Sequence, residues 1–211
     1  MPKANKRVTI AFTHGAGAGI DSDFMQYFIE ALRADGLSLA PFEFPYMAAR
    51  RKDGKKRPPD RAPVLMQTWR EKIAEIGAAR CIVAGKSMGG RIGSDVAWEL
   101  EQAGAPVAGC IYLGYPFHAP GKPERVRAEP LLRTKMPALL LQGERDPFGT
   151  QDEVKGYKLS KSVRQHWLVD GEHSFIPRKS SGRSKEQNWQ VAVAAITGFV
   201  QGLIQPNRQL R

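Results

Sequence analysis

The chain has 211 residues, 42% apolar and 25% charged, which fits one soluble domain with a sizeable core and leaves little room for a second. Its formal charge of +11 raises nucleic acid, a membrane surface or an acidic substrate as partners. No apolar run approaches the ~18 residues of a membrane span, and the run Val8–Phe12 behind the basic start is broken by Thr13 and His14, too short for a signal h-region. A single domain over residues 1–211 is therefore expected.

The elements follow from hydrophobic pattern. Short apolar runs alternate with longer amphipathic ones, which predicts an α/β fold with a mostly parallel sheet of about six strands, helices on both faces and no large lid. A strand is expected over Val8–Thr13, then a glycine-rich loop His14-Gly-Ala-Gly-Ala-Gly19, then a helix over Ser22–Ala34 capped by Ser22 and ended by Gly36. A second strand fits Leu37–Phe44, and a helix over Val64–Ile76 carries the apolar stripe Leu65, Trp69, Ile73 and Ile76. Strands follow at Cys81–Ala84, Ala108–Leu113, Ala138–Gln142 and Arg164–Val169, with helices at Gly89–Gln102, Asp152–Lys158 and Lys185–Gln205. The Pro-rich stretch Tyr115–Lys135 reads as an ordered loop with one helical turn.

The positive charge is concentrated. Residues 50–61 (RRKDGKKRPPDR) hold seven basic and two acidic side chains, and residues 178–185 (RKSSGRSK) hold four basic and none acidic, leaving a nearly neutral body. Gly, Pro and Ser in both segments exclude helix interiors and buried strands. Neither interleaves aromatics for base stacking or sits on a helix suited to a groove, which argues against nucleic acid. Both follow strands on the carboxyl edge of a parallel sheet, so a basic rim steering an anionic small-molecule substrate is the expected use. Cys81 and Cys110 each lie inside an apolar run and read as buried thiols of a reducing, cytoplasmic compartment.

The strand beginning at Cys81 runs straight into Gly85-Lys86-Ser87-Met88-Gly89, and a helix leaves on the far side. This is the G-x-S-x-G elbow of a nucleophilic serine. A strand that turns into a helix over one residue crowds the positions two before and two after, which calls for Gly85 and Gly89 and holds the Ser87 hydroxyl at the tip. On such a sheet the acid and base follow later strands in the chain order Ser, Asp, His. Asp146, in Gly143-Glu-Arg-Asp-Pro-Phe-Gly149, and His173, in Asp170-Gly-Glu-His-Ser-Phe175, occupy those positions. Ser87 is the expected nucleophile, His173 the general base and Asp146 its orienting acid, with backbone N–H groups of Ala16 and Met88 as the oxyanion hole. Asp152 reads as a helix cap, and Asp170 is too close to His173 in sequence to reach its ring.

His118, Tyr46 and Phe117 follow strands on the same edge and are candidate substrate contacts. His14 is expected to organise the oxyanion loop, and His166 to be a satisfied sheet histidine. A phosphate-binding loop fails because position 80 is Arg, and a dinucleotide fingerprint fails because position 20 is Ile. Four scattered histidines and no H-E-x-x-H pattern call for no metal, and the chemistry needs no cofactor.

With these residues in place the chain resembles the alpha/beta-hydrolase superfamily, in particular its small lidless group related to dienelactone hydrolases. More narrowly, it is similar to the family that includes the testis-expressed hydrolase-like protein and the hydrolase-like subunit of the NSL chromatin complex. The matching blocks are THGAGAG at 13–19, GKSMGGR at 85–91, LGYPFHAPGKPE at 113–124, LLQGERDPFG at 140–149 and GEHSF at 171–175. The resemblance implies a triad of Ser87, Asp146 and His173 on a sheet whose nucleophile strand is central. It leaves ester, thioester, lactone and peptide substrates open, as well as a catalytically inactive scaffold, which some relatives resemble.

Overall fold

The computed structural model describes residues 7–205. Six parallel strands, β1 Thr9–Thr13, β2 Leu39–Phe42, β3 Cys81–Lys86, β4 Gly109–Leu113, β5 Ala138–Gly143 and β6 Val163–Leu168, form one sheet in the order β2-β1-β3-β4-β5-β6. Every residue of β3, β4 and β5 is buried, because helices cover both faces and the inner strands have no solvent side. The edge strand β6 exposes Arg164 and Gln165. Strand order reverses between β1 and β3, and such a switch point opens a crevice at the carboxyl ends of the strands.

The helices are α1 Asp23–Ala34, α2 Pro45–Asp53, α3 Ala62–Ile76, α4 Met88–Gln102, α5 Glu129–Arg133, α6 Gln151–Lys155 and α7 Lys185–Ile204. On one face Phe28 and Leu32 of α1 and Trp189, Ile196 and Val200 of α7 pack with Ile10, Ile82 and Leu139 of the sheet. On the other, Leu65, Trp69 and Ile73 of α3 and Ile92 and Val96 of α4 pack with Ala11, Val83 and Leu140. Alternation along each strand feeds the two layers.

Several expectations shift. The fold places Arg50–Asp53 in the last turn of α2, so the first basic segment is not wholly outside helices. Pro45 presets the first turn, Gly54 at φ 71° ends it, and Arg50, Arg51 and Lys52 meet the negative end of the helix dipole. Only Tyr46 and Met47 of α2 are buried, so no helical stripe marks it in the sequence. This helix also shortens β2, which stops at Phe42. Ser22 precedes α1, but its hydroxyl donates to Gly19 O at 2.9 Å and caps nothing. Thr150, not Asp152, caps α6, exchanging bonds with Glu153. The Pro-rich stretch contains the single short helix α5, in line with its expected helical turn.

Trp69 ties α3 to the edge strand β2 and to the first turn of α4: it is fully buried, meets Phe42 edge-on at 4.8 Å, and its indole N–H donates to Gly89 O at 3.0 Å. Trp69→Phe leaves a cavity and removes that bond, so a loss of roughly 1–3 kcal/mol is expected in urea unfolding; an unchanged midpoint would show that α4 does not lean on this contact.

Candidate active site

The site is assembled at the carboxyl edge around the end of β3. Ser87 is the only residue between β3 and α4 and adopts φ 50°, ψ −120°, a region a non-glycine residue enters only when both sides are fixed. Its own N–H donates to Leu113 O at 2.9 Å, which pins the turn to β4. A Cβ on Gly85 would collide with the backbone of Gly89 and Gly90. At Gly89 the constraint differs from the expected mutual crowding: a Cβ there would strike His14 O and the Thr13 side chain, so this glycine admits the loop that follows β1.

Three of the predicted side chains meet. His173 Nε2 lies 2.9 Å from Ser87 Oγ, and His173 Nδ1 lies 2.8 Å from Asp146 Oδ2. Asp146 is fully buried; Gln142 Nε2 donates to its Oδ2 at 2.9 Å, and the Phe148 N–H donates to its Oδ1 at 2.9 Å. A buried carboxylate with three donors is fixed in orientation, and it holds the imidazole with Nδ1 protonated and Nε2 free to accept from the serine. Phe148 covers the His173 ring, with centroids 4.3 Å apart.

The His173 loop is tied down from two sides. Asn188 on α7, fully buried, donates to Val169 O at 3.0 Å and Phe175 O at 2.9 Å. Asp170 takes Arg145 and Arg178 as ion partners, and Arg178 draws its carboxyl down to about 2. Asp170 therefore has its own structural task, and its carboxylate is turned to these two arginines and not to the His173 ring.

The loop after β1 is shaped by two buried groups. His14 Nε2 accepts from the Phe44 N–H at 3.2 Å, so Nδ1 carries the proton and donates to Gly15 O at 2.7 Å; burial lowers its pKa and keeps the ring neutral. The Tyr46 hydroxyl is within bonding distance of Gly15 O at 3.1 Å and Ala16 O at 3.0 Å, and burial pushes its pKa up to about 12, so it stays a donor. A trans peptide points its N–H opposite its C=O. Tethering Gly15 O to Tyr46 and His14 therefore turns the Ala16 N–H the other way. Among the described residues neither the Ala16 nor the Met88 N–H has an acceptor.

Ser87, His173, Gly15 and Ala16 line a cleft of about 380 Å³, whose apolar walls are Phe24, Met25 and Phe148. The three candidate substrate contacts are not among its walls. Tyr46 faces the underside of the loop, and Phe117, fully buried, packs against Tyr115 and Tyr157. His118, 3% exposed, bonds Ala119 O through Nδ1 and lies 3.6 Å from Glu153. Strand-end position predicted an edge, but side chains there turn into the second core layer, while α1 supplies the wall. His166 is half-buried in β6, and among the described residues its ring makes no hydrogen bond, so it is not the satisfied sheet histidine expected. Gln142, Lys86 and Asn188 were not singled out; Gln142 and Asn188 are polar residues interrupting apolar faces, and that is the signal that marks them.

The two basic segments also separate. Arg178 is bound to Asp170, Arg183 to Asn188, and Lys185 lies over Trp189 beside Glu186. The first segment borders a second groove of about 430 Å³ that shares Gly17, Ala18 and Ser22 with the cleft. There Arg51 is paired with Glu43, while Arg50 donates to Gly17 O at 3.3 Å and has no carboxylate partner among the described residues.

Residues 6–201 match the alpha/beta hydrolase domain family. Among solved structures, an alpha-beta serine hydrolase homologue from Coxiella burnetii is similar, with 21% identity, 92% of this chain and 88% of that one covered, and a TM-score of 0.63. A monoacylglycerol lipase from Paleococcus ferrophilus follows at 15% identity, 90% and 94% coverage and a TM-score of 0.65. A thioesterase of the prodiginine pathway in Streptomyces coelicolor matches at 16% identity, 94% and 92% coverage and a TM-score of 0.61. These likenesses speak to the fold, whereas the family match takes in every strand and the turn at Ser87: the chain belongs to the alpha/beta-hydrolase family.

Proposed function

We propose that this protein is a serine hydrolase that cleaves a small ester, thioester or lactone through an acyl-enzyme. The observation that carries the reading is the unbroken chain of hydrogen bonds from Ser87 Oγ through His173 to Asp146, at 2.9 and 2.8 Å, opening into an apolar cleft. Ser87 Oγ attacks the substrate carbonyl as His173 Nε2 takes its proton, and Asp146 stabilises the imidazolium. The Met88 and Ala16 N–H groups receive the developing oxyanion, each contributing roughly 3–4 kcal/mol to the transition state. His173 then protonates the leaving group, and water repeats the sequence to release the acid. The lipase and thioesterase among the structural neighbours act on ester and thioester bonds by name, which supports the substrate classes. The narrower likeness to the small lidless group rests on the quoted sequence blocks. A cytoplasmic setting is supported by the free, buried Cys81 and Cys110, and no helix of the described residues is long and apolar enough to cross a membrane.

A fluorophosphonate probe is expected to label the folded wild type at Ser87 and to leave Ser87→Ala and the heat-unfolded protein unlabelled. Folded wild type without label would favour an inactive, scaffold-like relative instead. Tyr46→Phe, which frees the oxyanion loop, is expected to lower kcat on a short nitrophenyl ester about tenfold, or ~1.4 kcal/mol, with KM little changed; an unaltered kcat would remove Tyr46 from the account. An anionic arm on the substrate fits Arg50 at the mouth. Carboxylate-bearing esters should then surpass neutral ones of equal size in kcat/KM at low salt, with the advantage lost in Arg50→Gln. Equal values would assign the basic segment to solvent.

A further inference from the structure

Lys86, the residue between Gly85 and the serine, is a buried amine with no part in the hydrolytic sequence above. It is 8% exposed, at the end of β3. Its Nζ donates to the backbone carbonyl of His173 at 2.8 Å, and among the described residues this is its single hydrogen bond. The Phe24 ring lies 5.5 Å away, and a Cβ built on Gly114 would sit 3.0 Å from Nζ and 3.3 Å from His173 Cε1. The amine is thus wedged between α1, the end of β4 and the His173 loop.

We propose that Lys86 is a positioning residue: its ammonium clamps the His173 carbonyl and so sets the distance from base to nucleophile independently of the bond between them. The proposal rests on the reading of Ser87 and His173 as nucleophile and base. Lys86 and Ser87 are consecutive on the fixed end of β3, so a bond from Lys86 to the backbone of His173 references the base to the same rigid corner as the serine. The His173 loop has other tethers at Val169, Asp170 and Phe175, but these act on its flanks. Asp146 holds the ring of His173, and among the described residues Lys86 is the one that bonds its backbone carbonyl.

The clamp is strongest when charged, because an ammonium donor is roughly twice as strong as a neutral amine. The groups facing Lys86 are Asp146 after β5, Glu172 and His173 after β6, and the Phe24 ring from α1. Burial outweighs the two carboxylates and lowers the lysine pKa from 10.5 to about 8. The sign follows: the amine is charged below about 8 and neutral above, so the clamp weakens as pH rises through that value.

Two measurements on wild type and Lys86→Met, whose apolar side chain has similar length, decide the matter. Hydrogen exchange at pH 7 should be about tenfold faster in the variant over residues 170–176 and unchanged in β5 and α7; equal exchange across that loop overturns the clamp whether or not the protein is a hydrolase. The rate of fluorophosphonate labelling should fall above pH 8 in wild type, whereas Lys86→Met should label about tenfold more slowly at pH 7 and lack that alkaline fall. Matching rates and profiles overturn the proposal as well. Wild type that never labels refutes the catalytic reading instead, and the exchange measurement still judges the clamp. A variant that fails to fold, seen by circular dichroism, is replaced by Lys86→Gln under the same criteria.

Discussion

The backbone at Ser87 is the constraint on which the rest of the site depends. A non-glycine residue at φ 50° and ψ −120° stores strain of order 1–3 kcal/mol, and it persists because both of its flanks are held. β3 is buried between β1 and β4, and the Ser87 N–H is bound to Leu113 O. On the other side α4 is held by the indole of Trp69 at Gly89 O. The remaining parts are placed against this corner: His14 O lies over Gly89, Gly15 lies beside the Ser87 Cβ, and the imidazole of His173 reaches Oγ. Groups that arrive from four strand ends share one reference point.

Polar burial does the orienting. Asp146, His14, Tyr46, Gln142 and Asn188 are nearly or fully buried, and each has partners that specify a direction: Asp146 has three donors, His14 a donor and an acceptor, Asn188 two carbonyls and a guanidinium. In a poorly polarisable interior an unpaired group of this kind is costly, so the alternatives to the observed arrangement are disfavoured. Burial also sets protonation, keeping the His14 ring neutral and the Tyr46 hydroxyl protonated, so that both can donate to the carbonyls of the loop after β1. The excess positive charge is in part neutralised by Asp53, which is exposed, and by Asp170 and Glu43, whose side chains are largely covered.

Much of the fold was legible because burial on both faces makes an inner strand apolar without interruption, as in Cys81–Ala84 and Ala138–Leu141. The turn at Ser87 was legible for a steric reason, since few residues but glycine fit at 85 and 89. Asp146 and His173 were legible from chain order, each in a loop just past a strand. Helix α2 was hidden because it buries only Tyr46 and Met47, two adjacent residues that make no helical stripe, and because its last turn, Arg50-Arg51-Lys52-Asp53, runs into the charged, Gly- and Pro-rich segment that reads as loop. The cleft walls were hidden for another reason. Phe24 and Met25 look like ordinary members of the apolar stripe of α1, and nothing local distinguishes a stripe residue facing the core from one at the edge of a cavity.

By itself the sequence determined the alternation of strands and helices, the elbow and the order of Ser87, Asp146 and His173, because these depend on local sterics, on periodicity and on the short reach of a loop. Only the tertiary structure decided which aromatic side chains face the cleft, that Gly89 yields to His14 and not to Gly85, and that Arg50 and Arg51 of one basic segment line a groove adjoining the cleft while Arg178, Arg183 and Lys185 of the other are taken up by Asp170, Asn188 and Glu186. It also decided that Lys86 ends beneath the carbonyl of His173. These outcomes depend on contacts between residues far apart in the chain, and a side chain's environment is set by what packs against it, which its neighbours in sequence do not specify.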